Sequence, residues 1–345
     1  MPIPLRARRL RKLRPVLLFA AAFAVVDTAV RLTADTWTMY AADDYAERIE
    51  RCAAEPHDVI VLGGSPVSEG IDPSPLSGNA WSLALPGGTF TDSYFAYKHG
   101  TATKPKLLIV GIAATDFNDA RNEPHGAYSI YAAADVRDIA RTRPDAANWT
   151  MRRFADGRLR QASALYQHRR GLYLAAADVA GSVDVRIAPE TCAIAARDFG
   201  YAVGLRDSRG YAPAPWFANA NYAERKARGE SFPPFDFLER YRFGSHFAYL
   251  ERLQTERGET TVVLIEMPYT ADFETRFAAR LAEFRTRITA WETERGWTIL
   301  RATREALQLT DADFGDFVHL NRGGAAKLTT WLKVELQRRA AEAAQ

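Results

Sequence analysis

One serine and one Asp-x-x-His step are the residues of this chain whose types and spacing suit nucleophilic chemistry. Ser65 lies in DVIVLGGSPVSEGIDP (58–73), directly after a short apolar run, and Asp316 and His319 lie in DFVHLNRGG (316–324). Three residues of chain can set a carboxylate against imidazole Nδ1 and leave Nε2 free to take a proton from a hydroxyl. In such a relay the carboxylate fixes the tautomer, the imidazole is the base and the serine oxygen is the nucleophile. Taken singly, Asp-x-x-His is an ordinary loop pairing, and Ser followed by Pro is an ordinary helix start. Their joint weight comes from position. The serine follows the first strand of the domain, and the pair sits in the loop before the last helix.

The elements that must position these residues are legible from apolar runs. Val59–Leu62 reads as a strand buried on both faces. Gly63 and Gly64 end it, Ser65 is expected as the cap of the next helix, and Pro66 as its first residue. The hydroxyl then stands at the carboxyl edge of a sheet, where ligands of open α/β folds bind, beside a helix N-terminus that favours negative charge. A second strand is expected over Trp81–Leu85, followed by a Pro86-Gly87-Gly88 loop. The next helix carries Phe90, Tyr94, Phe95 and Tyr97 as a core stripe. Lys106–Ile112 is a third strand, ending in AATDFND (113–119). The pattern resumes with a helix over Gly244–Glu256, a strand over Thr260–Glu266, a long helix over Phe273–Arg295, a strand over Trp297–Leu300 and a terminal helix. Strands alternating with helices at this spacing predict an α/β fold around a doubly wound parallel sheet.

Residues 120–235 interrupt that rhythm. They are rich in Ala, Arg and aromatics, with helical stretches expected over Val136–Arg141 and Met151–Ala177, and Pro213, Pro215, Pro233 and Pro234 marking loops. The stretch reads as a largely helical insertion over the sheet's active edge. Its Arg152, Arg153, Arg158, Arg160, Arg169 and Arg170 are a solvated helix face in the plainest reading, or contacts to an anionic or sugar substrate.

The 345 residues carry a net charge of +3, but Arg6, Arg8, Arg9, Arg11, Lys12 and Arg14 hold six positive charges, so the rest of the chain has net −3. That balance excludes a nucleic-acid-binding domain. The basic cluster precedes an apolar run, Pro15–Leu32, broken only by Asp27, Thr28 and Arg31. A cleaved signal peptide, a buried helix and an uncleaved anchor all fit the run, and the anchor fits best if its ends tilt or snorkel. Residues 1–32 are then a cytoplasmic basic tail and anchor, and residues 33–345 an exported domain. A juxtamembrane helix over Thr36–Glu55 would join the two. Cys52 and Cys192 would form one disulfide in an exported domain, or stay as buried thiols. Neither suits a metal site or a thiol nucleophile. His99, His125, His168 and His246 stand alone, and Glu266 ends a strand near the active edge without a nameable partner. No P-loop, dinucleotide fingerprint or metal-ligand cluster is present, so no cofactor is expected. An α/β-hydrolase elbow needs G-x-S-x-G and a nucleophile after several strands; here Val67 takes the last position and the strand is the first.

Ser in the turn after the first strand, with Asp316-x-x-His319-Leu320 before the last helix, resembles the SGNH/GDSL hydrolase superfamily over residues 58–118 and 244–335. The apolar N-terminus, GGSPVSEGIDP and DFVHLNRGG are similar to its membrane-anchored cell-envelope branch, which holds the D-alanyl transfer protein of lipoteichoic acid and the alginate O-acetylation proteins. The resemblance implies a flavodoxin-like three-layer sandwich with Ser65 as nucleophile, His319 as base and Asp316 as its orienter. It implies an oxyanion donor at Gly87 or Gly88 and another at Thr115, Asp116 or Asn118, where the family's third-block Asn is missing. The expected activity is that of an esterase or O-acyltransferase on an acyl ester of an envelope polysaccharide, with a membrane-bound acyl-donor protein as the partner such a transferase would use. The competing expectation is a catalytically silent binding or assembly subunit of a polysaccharide export or acylation system.

Overall fold

The computed structural model describes residues 5–37, 44–117, 131–167, 209, 211, 215–230, 247–343 and 345. The chain forms two compact units. One comprises residues 1–42 with 155–199, and the other comprises 43–154 with 200–345.

The first unit is built on helix α1, Leu5–Trp37. Within it, Pro15–Leu32 is long and apolar enough to cross a membrane, and Val16, Leu17, Leu18, Phe19, Val25 and Val26 are exposed. Toward its C-terminal end, Asp27 accepts hydrogen bonds from Ser163 Oγ (2.6 Å) and from Leu165 N–H (2.8 Å). The short helix Ala164–Gln167 is tied to α1 in this way.

The second unit opens with α2, Asp44–Ala54. Five strands follow: β1 Val59–Leu62, β2 Ala80–Ser82, β3 Leu107–Ile112, β4 Thr261–Glu266 and β5 Thr298–Arg301. All pair in parallel, in the order β2-β1-β3-β4-β5. This is the flavodoxin-like doubly wound order, whose chain reverses direction across the sheet between β1 and β3. Alternate residues face opposite layers. Ile60, Leu62, Leu108, Val110, Val262 and Leu264 pack under α2, α4 (Phe90–Gly100) and the helices Phe247–Glu256 and Ala278–Arg295. Val59, Val61, Ile109, Val263 and Ile265 pack under α3 (Ser65–Gly70) and the terminal helix Arg322–Ala343. Burial on both faces is why these strands are near-continuous Val, Ile and Leu.

Several boundaries differ from the expectation. The strand expected over Trp81–Leu85 is the three-residue β2, although Leu83 N–H and Leu85 N–H still bond to Val61 O and Gly63 O beyond its end. The single helix expected over Phe273–Arg295 is two, Ala271–Arg276 and Ala278–Arg295, with Phe277 at the break and buried. In the insertion, helices run over Ala133–Thr142, Ala147–Ala162, Ala164–Gln167, Pro215–Ala218 and Tyr222–Ala227. Arg152 and Arg158 are exposed, Arg153 lies over the Trp149 ring, and Arg169 and Arg170 lie outside the described residues. Cys52 is a buried free thiol whose pKa burial pushes up to about 12, against the pull of Arg48. Cys192 lies outside the described residues, as do His125, His168 and His246.

Gly63 shows why the strand can end where it does. Its φ is +149°, and a Cβ there would meet Val67 Cγ2 at 2.4 Å; one on Gly111 would meet the same methyl at 2.0 Å. The two glycines let α3 seat directly on the ends of β1 and β3. Gly63→Ala is therefore expected to cost about 1–3 kcal/mol through overpacking, on top of backbone strain. A urea midpoint equal to that of the unaltered protein would contradict this packing.

Candidate active site

The serine stands at the β1–α3 junction, on the edge where β1 and β3 part. Gly64, not Ser65, occupies the cap position of α3, with φ −84° and ψ −162°; Val67 N–H and Ser68 N–H bond to Gly64 O. Ser65 is thus the first helical residue and Pro66 the second, which corrects the expectation of a serine cap by one position. The shift matters chemically, because the Ser65 hydroxyl is not used on the helix end. Its Oγ lies 2.8 Å from His319 Nε2, across 254 residues of chain.

The His319 loop is held by its own aspartate. Phe314 and Leu320 form an antiparallel bridge, and Gly315 N–H bonds to His319 O at 2.8 Å. At the tip, Asp316 Oδ1 accepts Val318 N–H (2.9 Å) and His319 N–H (2.8 Å), while Oδ2 faces His319 Nδ1 at 2.8 Å. One carboxylate oxygen therefore shapes the backbone and the other orients the imidazole, which is what the three-residue spacing permits. Thr270, after β4, reinforces the loop by donating N–H (3.1 Å) and Oγ1–H (3.2 Å) to Phe317 O.

Burial alone would raise the Asp316 pKa. The His319 imidazole and the two backbone N–H groups outweigh it and hold the carboxyl below the ordinary carboxylate range. The depressed folded-state pKa means that Asp316 contributes stability above its unfolded pKa, and that contribution is lost as pH falls through the folded one. The orienting charge is accordingly in place throughout the neutral range.

Three loops meet at the serine. A Cβ on Gly64 would lie 3.3 Å from Gly88 O and 3.5 Å from Asp116 Oδ1, so the loops after β1, β2 and β3 touch. Pro86-Gly87 forms a tight turn in which Gly87 has φ +74° and Gly88 N–H bonds to Leu85 O at 2.8 Å. The Gly88 N–H is therefore engaged within its turn, and of the two glycines Gly87 keeps its N–H outside that bond. Thr89 N–H is taken by Asp92 Oδ2 at 2.8 Å. After β3, Asp116 Oδ2 accepts Ala113 N–H at 2.8 Å, and the buried Thr115 lies beside it with Oγ1 3.5 Å from Asp116 Oδ1. Asn118 lies outside the described residues. The Ser65 N–H, at the first position of α3, has no carbonyl within its helix to bond and points from a helix N-terminus.

Glu266 ends β4 buried and paired with Arg285 Nε at 2.8 Å, so it belongs to a structural ion pair. His99 likewise serves structure, 2.7 Å from Asp135 Oδ2. The sequence reading missed Tyr269, whose OH accepts Ala114 N–H at 2.8 Å and braces the loop after β3. It also missed Phe217, whose ring stacks on His319 with centroids 4.2 Å apart and planes at 18°. Tyr269 carried a weak signal, three residues beyond the end of β4; Phe217, inside an Ala- and Arg-rich insertion, carried none. Among the described residues no group of three or more His, Cys, Asp or Glu side chains is placed to hold a metal ion. What the arrangement can do is move a proton from a serine hydroxyl to an imidazole whose other nitrogen is fixed by a carboxylate. The chain matches no protein-family model and no curated protein.

Proposed function

We propose that this protein is a membrane-anchored, SGNH-like serine esterase or O-acyltransferase whose site is Ser65, His319 and Asp316. The observation that carries the reading is the unbroken Ser65 Oγ–His319 Nε2 and His319 Nδ1–Asp316 Oδ2 relay, 2.8 Å at each step. Packing does not require it. A cap would need only the local helix, and Ser65 is not the cap.

In the proposed reaction His319 Nε2 takes the Ser65 proton as Oγ adds to an ester carbonyl. The resulting oxyanion is met by N–H groups at the α3 N-terminus and the Gly87 turn. His319 then gives the proton to the departing alkoxide oxygen, leaving an acyl ester on Ser65. Water, or a sugar hydroxyl, loses its proton to His319 and attacks that ester, and His319 returns the proton to Ser65 Oγ. Asp316 keeps Nδ1 protonated and stabilises the transient imidazolium. Hydrolase and transferase differ only in the second acceptor. An anchor favours an acceptor in the cell envelope, with an acylated saccharide as substrate.

A second reading has one specific observation behind it. Asp116, one of the three residues expected to stand in for the family's Asn donor, accepts a hydrogen bond from Ala113 N–H, and a missing donor costs about 3–4 kcal/mol of transition-state stabilisation. On that reading the chain is a silent binding or assembly subunit. Full-length protein in detergent, treated with a fluorophosphonate probe, separates the two. Covalent labelling that Ser65→Ala removes supports the enzyme, and an unlabelled, folded protein supports the silent subunit.

The anchor reading sets a topology. With the basic segment Arg6–Arg14 on the cytoplasmic side, a reporter fused after Gln345 is expected to be active only in the exported compartment. Activity confined to the cytoplasm would overturn the envelope assignment.

A further inference from the structure

The imidazole of His319 is held in its plane by two partners, Ser65 at Nε2 and Asp316 at Nδ1. Both partners meet ring nitrogens, so neither covers a face of the ring. Phe217 supplies the face contact: its ring stacks on the imidazole at 4.2 Å. Phe217 comes from the insertion, the part of the chain for which the family resemblance offers no role.

The segment bearing Phe217 is fastened to the catalytic loop at several points. Tyr222 N–H donates to Phe314 O (2.7 Å), Asn321 Nδ2 to Ala220 O (2.9 Å), and Arg225 Nη1 to Gly315 O (2.8 Å). Gly315 is pressed against Phe217 itself, and a Cβ there would lie 2.8 Å from Phe217 O and 2.9 Å from Phe217 Cα. Tyr222, buried and 5.3 Å from the Phe317 ring, donates its hydroxyl to Asp272 at 2.7 Å, and Lys226 pairs with the same carboxylate. The segment is therefore fixed both to the loop and to the helix Ala271–Arg276 behind it.

We infer that Phe217 is a positioning residue for His319, and that residues 215–228 are a clamp through which the insertion completes the site. The inference rests on the acyl-transfer reading for its catalytic consequence, but the ring contact itself does not. The clamp keeps Nε2 on the Ser65 hydroxyl while the ring cycles between imidazole and imidazolium, and the aromatic face also favours the cationic form.

The test uses the full-length chain in detergent, with Phe217→Leu, Phe217→Ala and Phe217→Tyr. Fluorophosphonate labelling of Ser65 is measured over a range of probe concentrations, separating the maximal rate from the half-saturating concentration. Leu and Ala are expected to slow the maximal rate roughly tenfold or more, with the half-saturating concentration unchanged within about twofold; Tyr is expected to restore the rate. In parallel, the His319 ring C–H resonances are expected to shift in Phe217→Leu, because the ring current above the imidazole is gone. A Leu variant that labels as fast as the unaltered protein, or a Tyr variant no faster than Ala, overturns the inference. An unaltered protein that does not label overturns the acyl-transfer reading instead. In that case the resonance measurement still judges the contact: unshifted His319 signals in Phe217→Leu overturn it, and shifted signals uphold it.

Discussion

Ser65→Ala is expected to lower turnover of a short-chain aryl ester by about 10⁶-fold, His319→Ala by a similar factor, and the double variant by little more than either. Members of one relay fail together, because removing the nucleophile leaves the base with nothing to deprotonate. The residual rate comes from the oxyanion-binding backbone and from binding alone. Folding should survive. Ser65 Oγ caps no helix, Gly64 holds the cap position, and the hydroxyl's bond to His319 is worth about 1 kcal/mol. Thermal melting and ester turnover measured on the same samples check both halves. Additive losses in the double variant would mean that the two residues act separately.

Asp316→Asn is expected to be nearly as damaging, for a reason specific to this loop. An Asn oxygen could still accept Val318 N–H and His319 N–H, as Oδ1 does now, so the loop keeps its shape. The amide NH₂ would then face His319 Nδ1, where a carboxylate oxygen stands at 2.8 Å. Nδ1 must become the acceptor, the proton moves to Nε2, and the nitrogen facing Ser65 can no longer take a proton. The expected loss in turnover is about 10⁴-fold, with a melting temperature close to that of the unaltered protein. Asp316→Ala should lose the loop contacts as well and melt earlier. If Asn and Ala were equally destabilising, the carboxylate would be acting on the backbone alone.

How much of this was legible in the sequence depends on how local each feature is. The strands could be read because burial on both faces forces unbroken runs such as VIVL and LLIVGI. The Asp316–His319 pair could be read because three residues suffice to close it. The 2.8 Å contact between Ser65 and His319 could not be derived from spacing; it depends on the strand order β2-β1-β3-β4-β5, which no periodicity encodes. The cap of α3 was misplaced by one residue because Gly-Gly-Ser-Pro offers two neighbouring starts, and a glycine with extended backbone serves as well as a serine. The break at Phe277 was invisible because the apolar pattern runs through both helices. Phe217 was out of reach for a stronger reason: its value lies in a partner 102 positions away, and its own surroundings look like solvated helix.

The oxyanion side of the site is where the sequence left alternatives, and the geometry narrows them unevenly. Gly88 N–H is engaged with Leu85 O, and Asp116 accepts rather than donates through Oδ2. The proposed oxyanion donors are therefore Gly87 N–H, which lies outside the Gly88–Leu85 bond, and the start of α3.

The acyl ester on Ser65 is the direct test of the central claim. Full-length protein mixed with an activated acetyl ester, quenched in acid within milliseconds and weighed intact, should gain the mass of one acetyl group, carried on the peptide containing Ser65 and absent in Ser65→Ala and His319→Ala. Turnover of the ester with no mass gain at Ser65, or with the acetyl group on another residue, would contradict the account.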